Sequence, residues 1–210
     1  MCALNTKDFS KALIRRLPEY YEAVCRLESQ NIKRISSAQL AKFMGLGASQ
    51  IRQDFSHFGG FGQQGYGYNV DILKSELGNI LGIDRLKKTV LIGAGMLGCA
   101  LLQHISFESS GFQIIGIFDK KESLVGKIIK NIPIRSINML DEFCLEQRPE
   151  AAILCTPQSE AQEIADQLEK RNVKGFLNFS GYDLKPKNKN TEIENVRLTD
   201  SLLSLSLKLV

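Results

Sequence analysis

Thr89-Val90-Leu91-Ile92 runs directly into Gly93-Ala94-Gly95-Met96-Leu97-Gly98 and then into Cys99-Ala100-Leu101-Leu102. A short β-branched run, a glycine-rich corner and an apolar helical start, in that order, predict the opening strand, loop and helix of a parallel α/β dinucleotide fold. A GxGxxG pattern alone is weak, because glycine turns are common. Its place between strand and helix gives each glycine a distinct role. Gly93 makes the tight turn, Gly95 admits a pyrophosphate against the backbone, and Gly98 seats the helix close to the strand. The anion would rest on the helix N-terminus, where backbone N–H groups and the helix dipole favour negative charge.

Working outward, a second strand over 114–118 ends at Asp119, 21 positions beyond Gly98. That spacing suits a carboxylate on the adenosine ribose hydroxyls and disfavours a 2′-phosphate. Lys120 and Lys121 blur the choice, since they could neutralise such a phosphate. A buried strand over 151–155 runs into Thr156-Pro157, a helix follows over 159–171, and a further strand over 175–179 ends at Asn178-Phe179. In an open parallel sheet the carboxyl ends of the strands converge on the ligand crevice. Thr156, Pro157, Asn178 and Phe179 therefore join Gly93, Ala94, Gly95, Met96, Leu97, Gly98, Asp119 and Lys120 as candidate cofactor contacts. The alternative for the four later residues is that they are ordinary strand ends.

Before this unit, Phe9, Leu13, Leu17, Tyr20 or Tyr21, Val24 and Leu27 recur at three- and four-residue steps, predicting a helix with one buried stripe that Pro18 kinks or restarts. Ser36 and Ser37 offer an N-cap to a short helix carrying Leu40, Ala41 and Met44, and Gly45 supplies its left-handed exit. After the Gly45-Leu46-Gly47 turn, residues 48–57 read as a second helix with Ile51, Phe55 and Phe58 inward. Helix, short turn, helix is the arrangement whose second helix enters a DNA major groove. On its outer side Arg52 can present a fork to guanine, and Gln50 or Gln53 can pair with adenine. The glycine and aromatic alternation GGFGQQGYGY at 59–68 predicts a small hairpin turning near Gln63-Gln64, which makes the unit a winged helix. Ser37, Ser49, Gln50, Arg52, Gln53, Ser56, His57, Gln63 and Gln64 are the candidate DNA contacts. A helix over 70–81 and a linker over 82–88 complete the segment.

The 210 residues suffice for two compact domains, and 43% apolar and 24% charged content are ordinary for a globular chain. Net charge is only +4. Between Lys7 and Arg52, however, nine Lys and Arg face Asp8, Glu19, Glu22 and Glu28, an excess that suits a polyanion or merely a solvated basic face. Five cysteines without short paired spacing, and two histidines, indicate neither a zinc site nor a disulfide framework. No secretory leader or membrane-length apolar run is read, so a cytoplasmic protein is expected. His104 is the one histidine of the second segment, with no His-carboxylate or Tyr-Lys pairing for hydride chemistry, so no catalytic residue is expected. The final helix, 198–209, carries leucines at 198, 202, 203, 205, 207 and 209, more than a single buried stripe requires. It predicts burial in a partner subunit, or else against its own sheet.

Taken together, QIRQDFSHFGGFGQQGYGYNV at 50–70, ILGIDR at 80–85, the glycine loop, KGFLNF at 174–179 and ENV at 194–196 resemble the redox-sensing transcriptional repressor family called Rex. The resemblance spans nearly the whole chain. It implies an N-terminal winged helix-turn-helix domain (1–84), a C-terminal Rossmann domain of α/β class with a parallel sheet (85–197), and a swapped C-terminal dimerisation helix (198–210). It further implies a homodimer on a palindromic operator, sensing NAD(H), with NADH releasing DNA and NAD+ permitting binding. Against the family pattern His104 stands in place of tyrosine, Glu22 in place of arginine and Arg197 in place of aspartate, and these are the candidate switch residues. Glu22 and Arg197 either keep an attractive pair with exchanged signs or form no pair. Gln53, Gln63 and Gln64 are neutral where basic residues are usual, which predicts a shallower salt dependence of DNA binding. The readings left open are a true redox sensor, an NAD(H)-binding regulator with a weak or altered response, a regulator or scaffold that has lost DNA recognition, and a small NAD-dependent oxidoreductase.

Overall fold

The computed structural model describes residues 9–58, 62–63 and 66–209 and divides the chain into two units, Met1–Asp84 and Arg85–Val210. In the first unit, α1 (Lys11–Ser29) is capped by Ser10, whose hydroxyl accepts the Leu13 N–H. Leu13, Leu17, Tyr20, Val24 and Leu27 form its buried stripe, and the helix is continuous through Pro18 rather than restarting there. The short β1 (Arg34–Ile35) leads to α2 (Ser37–Met44), which opens with a reciprocal capping box: Ser36 Oγ accepts the Gln39 N–H at 3.2 Å and Gln39 Oε1 accepts the Ser36 N–H at 2.9 Å. Gly45, at φ 70°, ends α2, and the Leu46 N–H closes back on the Ala41 carbonyl. Then come α3 (Ala48–Ser56), β2 (Gly62–Gln63), β3 (Gly67–Asn69) and α4 (Val70–Leu81).

β2 and β3 pair antiparallel, as a wing hairpin requires, and β1 adds to the far side of β3 in the order β1-β3-β2. One core unites α1 to α4 around Tyr20, Leu40, Ile51, Phe55, Leu73 and Leu77. Phe55 meets Tyr20 and Tyr68 edge to face at ring separations of 5.0 and 5.1 Å, which locks α3 onto α1 and the hairpin.

The second unit alternates β4 (Lys87–Ile92), α5 (Met96–His104), β5 (Phe112–Asp119), β6 (Ile128–Ile129), β7 (Ile132–Ser136), α6 (Leu140–Gln147), β8 (Ala151–Leu154), α7 (Gln158–Lys170), β9 (Gly175–Asn178), β10 (Glu192–Asn195) and α8 (Leu198–Lys208). The sheet order is β10-β9-β8-β4-β5-β7-β6, parallel throughout except for the β6–β7 pair. Strand progression runs one way from β4 through β5 to β7, then resumes on the other side at β8, so the carboxyl end of β4 is the switch point where such sheets bind ligands. The expected parallel α/β architecture is thereby present.

Both faces of the sheet carry apolar clusters. One gathers Val90, Ile92, Phe118 and Leu154 under α6 and α7; the other gathers Leu91, Ile117, Ile134 and Ile153 under Leu102 of α5. By contrast, α8 buries none of its residues, and its leucines are 52–78% exposed. Among the described residues, packing against its own sheet, the alternative read from sequence, is thus absent. An apolar hollow of about 390 Å³ lies along β8, β9 and β10, lined by Phe107, Phe112, Ile153, Phe176, Leu177 and Ile193.

Candidate functional site

The three glycines of the β4–α5 corner face different surroundings. Gly93 has φ +97°, and a Cβ there would stand 2.5 Å from the Cys155 carbonyl oxygen. At Gly98 a Cβ would lie 2.0 Å from the Gly93 oxygen, so the helix can sit this close only without a side chain. Gly95, the N-cap of α5, would meet nothing within 4 Å, and among the described residues no side chain caps the helix start. The first two glycines are demanded by the protein's own packing, whereas the third opens onto space beside uncapped backbone N–H groups. Met96 is 95% exposed, and Leu97 is also exposed.

Asp119 at the end of β5 is buried, and its carboxylate braces the loop: Oδ2 accepts the Ala94 N–H at 2.7 Å and Oδ1 the Lys121 N–H at 2.8 Å. A carboxylate offers about four lone-pair positions, so two remain for ribose hydroxyls. Around it a cleft of about 220 Å³ is lined by Gly93, Gly95, Asp119, Lys120, Thr156 and Pro157, among others. Thr156 Oγ1 is buried there without a hydrogen-bond partner among the described residues, a polar atom left for a ligand to satisfy. Open space at Gly95, unfilled N–H groups, a half-used carboxylate and an orphaned hydroxyl together fit a dinucleotide.

Asn178 stands apart from the other predicted contacts. Its Nδ2 donates to the Tyr182 carbonyl and to Asn195 Oδ1 at 2.7 and 2.8 Å, and its Oδ1 accepts from the Ser180 N–H and Oγ. The whole amide is consumed in tying the turn after β9 to β10. The loop beyond it lines a second hollow of about 450 Å³, whose walls include Phe179, Leu97, Ser180 and Arg197. Arg197 forms an ion pair there with Asp183, and His104 is exposed at the end of α5.

In the first unit, α3 presents Ser49, Arg52, Gln53 and Ser56 outward, followed by exposed His57, while Ile51, Asp54 and Phe55 face the core. Arg52 NH1 donates to Ser37 Oγ at 3.2 Å, which steadies the guanidinium at the junction of α2 and α3. Gln50 is half-buried, and its Nε2 donates to Asp54 Oδ1 at 2.8 Å instead of pointing outward. Gln63 lies on β2 opposite Gly67, and Gln64 lies outside the described residues. Glu22 is exposed and pairs with Arg26 at 3.8 Å.

Asp54 is the residue that sequence reasoning missed. Arg16 donates to it twice, at 2.7 and 2.9 Å, and the Tyr20 hydroxyl once, at 2.6 Å. Burial by itself pushes the Asp54 carboxyl up, but the hydrogen bonds from Arg16, Tyr20 and Gln50 together outweigh it and hold the group below the ordinary carboxylate range. Burial is also the main cause that raises the Tyr20 phenol, reinforced by Asp54. This network fixes α3 on α1. It also removes Arg16 from the basic surface to which its sequence position had assigned it.

Residues 8–56 match the family model described as putative DNA-binding protein N-terminus, and residues 84–181 match that described as CoA binding domain. The redox-sensing transcriptional repressor Rex of Caldanaerobacter subterraneus subsp. tengcongensis is 46% identical over 200 residues, covering 95% of this chain and 89% of the relative. That of Clostridioides difficile is 43% identical over 203 residues, covering 97% and 96%. Among solved structures, RSP in complex with β-NAD+ and operator DNA superposes with a TM-score of 0.91 at 44% identity, covering 96% of this chain and 92% of that one. RSP in complex with β-NADH gives 0.88 at 41% identity, covering 96% and 94%. Fold and site define a DNA-binding regulator that carries a nucleotide-binding domain. The chain belongs to the Rex family of redox-sensing transcriptional repressors.

Proposed function

We propose that this chain represses transcription by binding operator DNA through α3 and the β2–β3 hairpin, and that NAD(H) in the β4–α5 cleft sets its operator affinity. The observation that carries the reading is the pairing, on one chain, of an open Gly95 cradle beside the orphaned Thr156 hydroxyl with an exposed Ser49, Arg52, Gln53 and Ser56 face on α3. When bound, the cofactor supplies a nicotinamide that is cationic when oxidised and neutral when reduced. The α5 N-terminus holds the pyrophosphate, Asp119 the adenosine ribose, and Thr156 and Pro157 the adenosine wall. Phe179, Leu97 and Arg197 line the hollow assigned to the nicotinamide end. Occupancy is read out as a change in DNA affinity, with no turnover.

The acting species is a cytoplasmic homodimer. The uncovered leucines of α8 and the apolar hollow along β8 to β10 support exchange of this helix between subunits. Two α3 helices then address half-sites of a palindrome about 34 Å, or a multiple of that, apart. A cofactor shifts this equilibrium only as far as it binds one state better than the other.

A damped redox response is the second reading. Arg197 is engaged by Asp183 and Glu22 by Arg26, so two of the three switch candidates have a partner within their own unit. Fluorescence anisotropy of a labelled operator, titrated at fixed salt with no cofactor, NAD+ or NADH, tests both. Selective loss of binding with NADH supports the sensor; equal affinity in all three overturns it and leaves the second reading.

A further inference from the structure

Two lysines follow Asp119, and in sequence they argue for tolerance of a 2′-phosphate. The structure disposes of them unequally. Lys121 is exposed, and its backbone N–H, not its ammonium, engages Asp119. Lys120 forms an ion pair with Glu160, on the first turn of α7. Both partners line the cleft that also contains Asp119, Gly93 and Gly95, so the pair spans its rim between the end of β5 and the start of α7.

The ribose hydroxyls of a dinucleotide held by Asp119 lie beside this pair. A 2′-phosphate would need a cation there; of the two lysines that line the cleft, Lys120 is held in an ion pair by Glu160, and Lys121 turns its backbone N–H to Asp119. We propose that Glu160 is a specificity-determining residue, which excludes 2′-phosphorylated dinucleotides by holding Lys120. Asp119 then repels the phosphate from one side while Glu160 withholds the compensating charge from the other. This rests on the assignment of the cleft to NAD(H).

The chain contains no tryptophan, so binding can be followed by nicotinamide fluorescence without indole background, and by calorimetry. Full-length wild type, Glu160→Gln, Lys120→Gln and the double variant are each titrated with NADH and NADPH. Wild type is expected to bind NADH and discriminate against NADPH. Glu160→Gln is expected to gain about fivefold in NADPH affinity, the effect of one released charge at contact distance in water, with NADH affinity within about twofold. The gain is expected to vanish in the double variant and to shrink in about 0.5 M salt.

An unchanged NADPH affinity in Glu160→Gln overturns the proposal. So does a gain that survives in the double variant, since Glu160 would then act by direct repulsion and not through Lys120. If wild type binds neither nucleotide, the cofactor assignment itself fails, an outcome distinct from both.

Discussion

Replacing Gly95 by alanine separates what the loop does for the fold from what it does for a ligand. The new methyl group would meet no protein atom within 4 Å, and the backbone is extended at φ −71°, open to any L-residue. The smaller unfolded-state entropy of alanine stabilises by about 0.4–1 kcal/mol, and the poorer N-cap offsets several tenths of that. The net change is within about 0.5 kcal/mol, or roughly 2 °C in Tm. A bound pyrophosphate would meet the methyl directly and retreat from the α5 N–H groups. Each charge-assisted hydrogen bond lost costs about 1.5–3 kcal/mol, so NADH affinity falls roughly ten- to a hundredfold per bond. Gly98→Ala is the control: its Cβ lands 2.0 Å from the Gly93 oxygen, which forces helix and strand apart and lowers stability by about 1–3 kcal/mol or more. Calorimetric titration with NADH and thermal unfolding by circular dichroism read the two effects separately. Wild-type NADH affinity in Gly95→Ala, or a loss of Tm equal to that of Gly98→Ala, would refute the reasoning.

Four further outcomes are expected. Asp54→Ala leaves the Arg16 guanidinium and the Tyr20 hydroxyl without their shared acceptor and destabilises the first unit by about 3 kcal/mol, measurable by urea unfolding. Because the Asp54 carboxyl titrates below its ordinary value of 3.8, its contribution is full above that pH and disappears as pH falls through the lower folded value; Asp54→Asn flattens that part of the acid unfolding curve, and an unchanged curve would contradict the assignment. Arg52→Ala weakens operator binding by about 1–3 kcal/mol in an anisotropy titration and relaxes discrimination at one base pair, whereas a uniform loss across sequences would mark a phosphate contact. Charging the bare face of α8 with Leu203→Glu and Leu207→Glu shifts sedimentation from dimer to monomer, and a persistent dimer would place the interface elsewhere.

The parallel sheet was legible because a β-branched run, two glycines demanded by the packing of the corner, a third that leaves it open, and an acid at fixed spacing all coincide in the sequence. The α2–α3 turn was legible for a similar reason, since a capping serine and a left-handed glycine leave marks in the sequence. Contacts between distant positions left no such mark. Arg16 and Asp54 are 38 positions apart, and Lys120 and Glu160 are 40 apart, so their charges read as surface until the fold joined them. The two-residue β1 is too short to show a period, and α6 was hidden in a segment without a clear stripe. Asn178 does stand at a strand end, but its amide serves the turn, a use that the residue type alone does not disclose. The hairpin turn expected at Gln63-Gln64 falls partly outside the described residues.

On the proposed function, a nucleotide in the β4–α5 cleft alters how tightly the α3 helices hold DNA. Operator affinity measured at one fixed salt concentration, without cofactor, with NAD+ and with NADH, tests it most directly. An NADH-selective loss of about five- to 150-fold is expected, the usual range of coupling between sites, and Gly95→Ala abolishes it. Identical operator affinity in the three conditions, with NADH binding confirmed by calorimetry on the same preparation, would contradict it.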